Sequence, residues 1–123
     1  MTLVSVTKIV EFEAAHFLAD YVGMCSHVHG HSYKLEVTVK GATDNGMVID
    51  FSELKRVIKL RILDKLDHQM LNDVLPFRTT AENMVVWIVK EISACLKGYP
   101  SISAKLWETS NSYAGVSNYE ISD

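Results

Sequence analysis

Residues 3–16 alternate between apolar and polar side chains. Val4, Val6, Val10, Phe12 and Ala14 share one face, and Ser5, Thr7, Glu11 and Glu13 share the other, the period-two signature of a half-buried strand. A second alternation places Tyr33, Leu35, Val37 and Val39 opposite Ser32, Lys34, Glu36, Thr38 and Lys40, and it ends at the turn-rich "GATDNG". The period then changes. Through "DFSELKRVIKLRILDKL", Phe51, Leu54, Val57, Ile58, Ile62 and Leu66 recur at helical spacing. Asp50 caps this helix, with Glu53 three residues on in a capping-box arrangement. Thr79 followed by Glu82 announces a second helix, which runs through "NMVVWIVKEISACLK" and stops at Gly98, with Pro100 just beyond. Two strand-like segments, "SISAKLWET" and "SYAGVSNYEIS", are separated by Asn111.

The order ββααββ predicts an α+β fold over residues 1–123 as a single domain: a four-stranded antiparallel sheet with two helices on one face. Such a sheet has two edges of unpaired backbone groups, which a small protein must cover or share, so self-association through the edges is expected. Composition changes little in this picture, since 48% hydrophobic and 22% charged residues are ordinary for a globular chain. A net charge of −3 argues against a nucleic-acid partner. The longest mostly apolar stretch, 84–89, falls far short of the ~20 residues of a membrane span. The opening "MTLVSVTKIVEFEAAH" lacks the cationic-then-apolar layout of a signal peptide. A cytoplasmic location, with Cys25 and Cys95 as free thiols, is therefore expected.

Candidate chemistry is concentrated in "CSHVHGHSYKLEV". Three of the five histidines lie within seven residues of the chain, beside one of its two cysteines. Stepping by two from Phe12 leads through Ala14 to His16, and stepping back from Leu35 leads through Tyr33 to His31 and His29. All three are in phase with the apolar faces of their strands. His29 and His31 converge on one point, a neighbouring strand supplies His16, and Gly30 leaves the opposite face uncrowded. Three neutral imidazoles suit zinc and leave a coordination position open. Cys25 has two readings that position alone does not separate. Either it is a fourth ligand closing a structural site, or it is a free thiol beside an open one, usable as a base or nucleophile. His27 is in phase with His29 but further up the loop, and reads as a spectator. Cys95, among Ile92 and Leu96, reads as a small core residue.

Two further polar sites stand out. Asp67 and His68, where the first helix ends, are either a capping feature or a proton-handling pair, and they meet only if the helix has ended by then. Glu108 follows Ile102, Ala104 and Leu106 on their alternating face. A carboxylate aimed at a core needs a partner, either a basic side chain or the planar N–H edge of a guanidine-like ring.

Together, "FEAAH" at 12–16, "CSHVHGHSY" at 25–33, "GMVIDFSELK" at 46–55, "LDHQMLN" at 66–72, "TTAEN" at 79–83 and "WETSNSYAG" at 107–115 resemble the 6-pyruvoyl-tetrahydropterin synthase family. The short C-x3-H-G-H spacing resembles its bacterial 6-carboxy-tetrahydropterin synthase branch, on the way to queuosine. The resemblance implies the tunnelling fold, with subunits joining their sheets into a barrel, commonly a hexamer of two trimers. It implies catalytic zinc on His16, His29 and His31, and Cys25 as the proton-abstracting thiolate. Asp67 and His68 would be a proton relay from a neighbouring subunit, Glu108 the anchor of the pterin's 2-amino and N3 edge, and Thr80 a residue near the pterin. The implied substrate is 7,8-dihydroneopterin triphosphate. Thr79 stands where many relatives have proline, and helix capping is expected to survive.

Overall fold

The computed structural model describes residues 1–122. Strands β1 (Leu3–His16) and β2 (His29–Ala42) form one uninterrupted antiparallel ladder in which Phe12 faces Tyr33 and His16 faces His29. Next along β2 lies β4 (Ser101–Thr109), antiparallel with Lys34 opposite Trp107, and then β5 (Ser112–Ser117). Beyond β1 lies a strand the alternation did not announce. This β3 (Gln69–Met70) is parallel to β1 and pairs only with Ala14 and Ala15. The sheet therefore has five strands in the order β3-β1-β2-β4-β5, rather than the four expected. Two residues are too few for any periodicity to register.

The predicted first helix is α1 (Phe51–Ile58), a π-helical turn over Lys59–Leu63, and a last turn α2 (Asp64–Leu66). The wider π turn takes up an extra residue, which brings Leu66 back into line with Ile58, and both are fully buried. Phe51, by contrast, is 58% exposed. The capping box does not form. Asp50 accepts from Ser52 N–H at 2.8 Å, while Glu53 is drawn forward to the Arg56 guanidinium at 2.7 Å. After a short α3 (Leu71–Val74), helix α4 (Ala81–Cys95) begins one residue later than predicted, with Thr80 as the cap accepting from Asn83 N–H. It ends three residues before Gly98. Cys95 is exposed, not core, and its sulfur accepts from Arg61 Nε at 2.8 Å.

The helices cover one face of the sheet. Leu35, Val37, Val39, Ile102, Ala104 and Leu106 pack there against Leu54, Ile58 and Ile62 of the first helix and Met84, Ile88 and Ile92 of α4. Each such large side chain contributes about 1.5–3 kcal/mol by leaving water. Among the described residues, the other face carries no helix. It presents Glu13, Ser32, Lys34, Glu36 and Trp107, with the Trp107 indole donating to Glu36 and the Lys34 ammonium 4.8 Å above the Trp107 ring. No helix among the described residues is long and apolar enough to cross a membrane.

Candidate metal centre and its cleft

His16 is the last residue of β1 and His29 the first of β2, so the ladder itself sets them opposite one another. His31, two residues on, points to the same face. The ring centroids lie 4.6, 4.9 and 5.2 Å apart, and one nitrogen from each ring falls within 4.8 Å of the others. The three are positioned to bind a single metal ion. A Cβ at position 30 would meet only the Ala14 carbonyl at 3.7 Å, so crowding, contrary to expectation, does not explain Gly30.

Two of the rings are oriented from behind. The Nδ1–H of His16 donates to the Thr79 carbonyl at 2.8 Å, and the Nδ1–H of His29 donates to the His27 carbonyl at 2.8 Å. In each case the hydrogen bond selects the tautomer whose Nε2 is a free acceptor. The His16 Nε2 is buried and has no hydrogen-bond partner, a costly state unless something binds there. Burial holds His16 and His31 below the ordinary imidazole range; the Thr79 bond and the Glu108 charge oppose it at His16, and Glu108 opposes it at His31. Both rings are therefore neutral near pH 7, the form a metal ligand requires. An orphaned acceptor, neutral imidazoles and braced tautomers all fit a borderline divalent cation.

Glu108 continues the inward face of Ile102, Ala104 and Leu106 at the end of β4. The pairing of β4 with β5 shifts between Trp107 and Thr109, so Glu108 stands without a partner on β5. Its Oε1 sits 3.4 Å from the Nε2 of both His16 and His31. Cys25, in a single 3-10 turn at Met24–Ser26, is half-buried and unbridged. It lines a cleft of about 510 Å³ together with the three histidines, Tyr21, Arg78, Thr80 and Glu108. Among the described residues, the group close enough to share an ion comprises the histidines alone, so the thiol borders the cluster without closing it. His27 is exposed and contributes its carbonyl rather than its ring.

Asp67 and His68 do not join this cleft within one chain. The helix has ended at Asp67, and the two side chains meet at 3.0 Å. They grip the edge of β1. Asp67 accepts from Glu13 N–H at 3.0 Å, and His68 N–H donates to the Glu13 carbonyl, with His68 in the left-handed region at φ 60°. His68 lines a neighbouring hollow with Glu13, Gly30, Ser32 and, from the imidazole cluster, His31.

Sequence reasoning missed two supporting residues. Thr79 was read as a helix cap, yet it is wholly buried and holds His16 through its carbonyl and, at 3.2 Å, its hydroxyl. Asn72 exchanges two 3.0 Å hydrogen bonds with the backbone of Phe17 and so fixes the chain immediately after His16. Neither carries a signal in the residue pattern: Asn72 follows only Met70 and Leu71 in a polar stretch, and Thr79 suits a helix cap.

Comparison with known proteins bears on this arrangement. The sequence profile described as "6-pyruvoyl tetrahydropterin synthase" matches residues 5–118. A 6-carboxy-5,6,7,8-tetrahydropterin synthase of Haemophilus influenzae is 34% identical over 135 aligned positions, covering 88% of this chain and 94% of that protein. A dihydroneopterin monophosphate aldolase of Pyrococcus furiosus is 38% identical over 98 positions, 79% of this chain and 82% of its own length. Among solved structures, the 6-pyruvoyl tetrahydropterin synthase of Caenorhabditis elegans superposes with a TM-score of 0.82 at 25% identity, covering 94% of this chain and 96% of that one.

Proposed function

The chain belongs to the 6-pyruvoyl tetrahydropterin synthase family, and on that premise we propose that it is a zinc-dependent lyase of the 6-carboxy branch. It converts 7,8-dihydroneopterin triphosphate and one water to 6-carboxy-5,6,7,8-tetrahydropterin with release of acetaldehyde and triphosphate, a step towards queuosine and related deazapurines. The observation that carries the reading is the buried, unpartnered Nε2 of His16 converging with His29 and His31 on the wall of a cleft that Cys25 and Glu108 also line.

In this reading His16, His29 and His31 hold zinc, which supplies Lewis-acid polarisation of the substrate's side-chain oxygens. Cys25 takes a proton from the side chain, and Glu108 accepts from the 2-amino and N3 hydrogens of the pterin, with Thr80 beside the ring. Thr79 and the His27 carbonyl keep the imidazoles from turning away.

Assembly enters because Asp67 and His68 lie away from their own chain's cleft. We assign them as a proton relay to a neighbouring subunit's site, in a homo-oligomer built as a dimer of trimers. Supporting this, β5 ends the sheet on one side, and on the other β3 covers β1 only at Ala14 and Ala15. Leu3, Val4 and Ile9 along β1 are exposed, an apolar edge that a second copy would cover. A cytoplasmic location accords with the free thiols.

The branch assignment rests on the C-x3-H-G-H spacing and on relatives such as the Haemophilus influenzae protein. Incubating the zinc-loaded protein with 7,8-dihydroneopterin triphosphate and identifying products by mass spectrometry tests it. Acetaldehyde with a 6-carboxy pterin is expected. A pyruvoyl pterin without acetaldehyde moves the chain to the pyruvoyl branch, and no product at all with zinc retained makes it a binding protein.

A further inference from the structure

We propose that Arg78 binds the phosphate end of the substrate, and that Asp20 occupies its guanidinium until the phosphate arrives. The inference deepens the reading above and rests on it for the identity of the organic part, though not for the anion site itself. Of the described residues lining the imidazole cleft, Arg78 alone carries a permanent positive charge, while Glu82 and Glu108 are negative. A phosphorylated ligand entering this cleft meets two carboxylates and a single fixed cation.

Arg78 is built to change partners. Its backbone is pinned: the carbonyl accepts from Thr80 N–H at 2.9 Å and from Asn83 Nδ2 at 3.0 Å. The side chain is 46% exposed, and its Nε lies 3.2 Å from Oδ1 of Asp20, itself 75% exposed, in the loop between β1 and β2. An ion pair that open to water contributes little. A phosphate offers the guanidinium two parallel, charge-assisted hydrogen bonds, so the exchange favours the ligand. The same geometry makes Arg78 a test for the presence of phosphate, not for the pterin.

The pinned backbone and open side chain also make the variant informative, since Arg78→Ala removes no buried contact. Three proteins are compared after zinc loading: wild type, Arg78→Ala and Asp20→Asn. Titration calorimetry with inorganic tripolyphosphate is expected to show binding weakened about tenfold in Arg78→Ala, the low end for a hydrogen bond to a charged group. Binding strengthens about two- to fivefold in Asp20→Asn as the competing carboxylate is lost. With 7,8-dihydroneopterin triphosphate, KM rises about tenfold in Arg78→Ala, whereas the affinity for unphosphorylated 7,8-dihydroneopterin is the same in all three. Equal tripolyphosphate affinity in wild type and Arg78→Ala overturns the proposal, as does an equal loss for the unphosphorylated pterin. If wild type turns over the triphosphate and Arg78→Ala has an unchanged KM, the anion site falls and the lyase reading stands. If wild type yields no product yet the tripolyphosphate ranking holds, the lyase reading falls and the anion site stands.

Discussion

Two ends of one sheet face obey the same alternation and hold opposite chemistry. Along β2, Val39, Val37 and Leu35 point into a dry layer against Ile58, Met84 and Ile88, all at most 0% exposed. Two steps further along the same strand and the same face stand His31 and His29, with His16 from β1 and Glu108 from β4 beside them. Along β1 and β2, backbone pairing does not distinguish the two ends. What differs is whether the inward positions can satisfy one another. At the core end apolar side chains need nothing more, whereas at the other end a buried imidazole nitrogen is left without a partner. Consistency across levels identifies the stabilising half, and the local breach of it identifies the working half.

The largest break in that contrast comes from His31→Ala. Metal analysis should show zinc lost and turnover abolished, while the metal-free protein unfolds close to the wild-type midpoint. Next, Cys25→Ala should keep its zinc, because the thiol lies outside the group that can share an ion, and lose roughly 10²–10⁴-fold in kcat as the proton acceptor disappears. Zinc lost along with activity would instead make sulfur a closing ligand. On the core side, Leu35→Ala should destabilise the fold by about 2–5 kcal/mol in urea unfolding, with the zinc content per folded molecule unchanged.

The smallest effect is in pH. Burial lowers the His16 and His31 values in the folded state from the ordinary 6.5, so between those lowered values and 6.5 the unfolded chain binds more protons. Stability of the metal-free protein is then fully present above 6.5 and is lost as pH falls through the lowered values. Thermal unfolding at about pH 7.5 and pH 5.5 measures this, and His16→Asn should show a shallower fall.

The two long strands and the faces of their residues were legible because period two persists over fourteen residues in both β1 and β2. Reading those strands face by face placed His16, His29 and His31 together. Less was legible where residues compete for partners. Glu53 suits a capping box until Arg56, three residues on, is seen to claim it. Thr79 suits a cap until His16 claims its carbonyl, shifting the cap to Thr80. Cys95 lies one helical turn from Ile92 and next to Leu96, yet turns outward to Arg61. The inward face of Glu108 was legible from β4, but the register shift beside it belongs to the β4–β5 pairing, which a single strand's pattern does not contain.

The bond from His16 to the Thr79 carbonyl couples a strand end to the threshold of α4, the longest helix, 63 residues away in the chain. A ligand that grips only the native form prolongs every join it spans. An ion on these rings would thus act as a rivet through three separate stretches of polypeptide. Metal supply would then set how long each molecule survives: copies starved of it should open first at this seam and be the first cut by proteases.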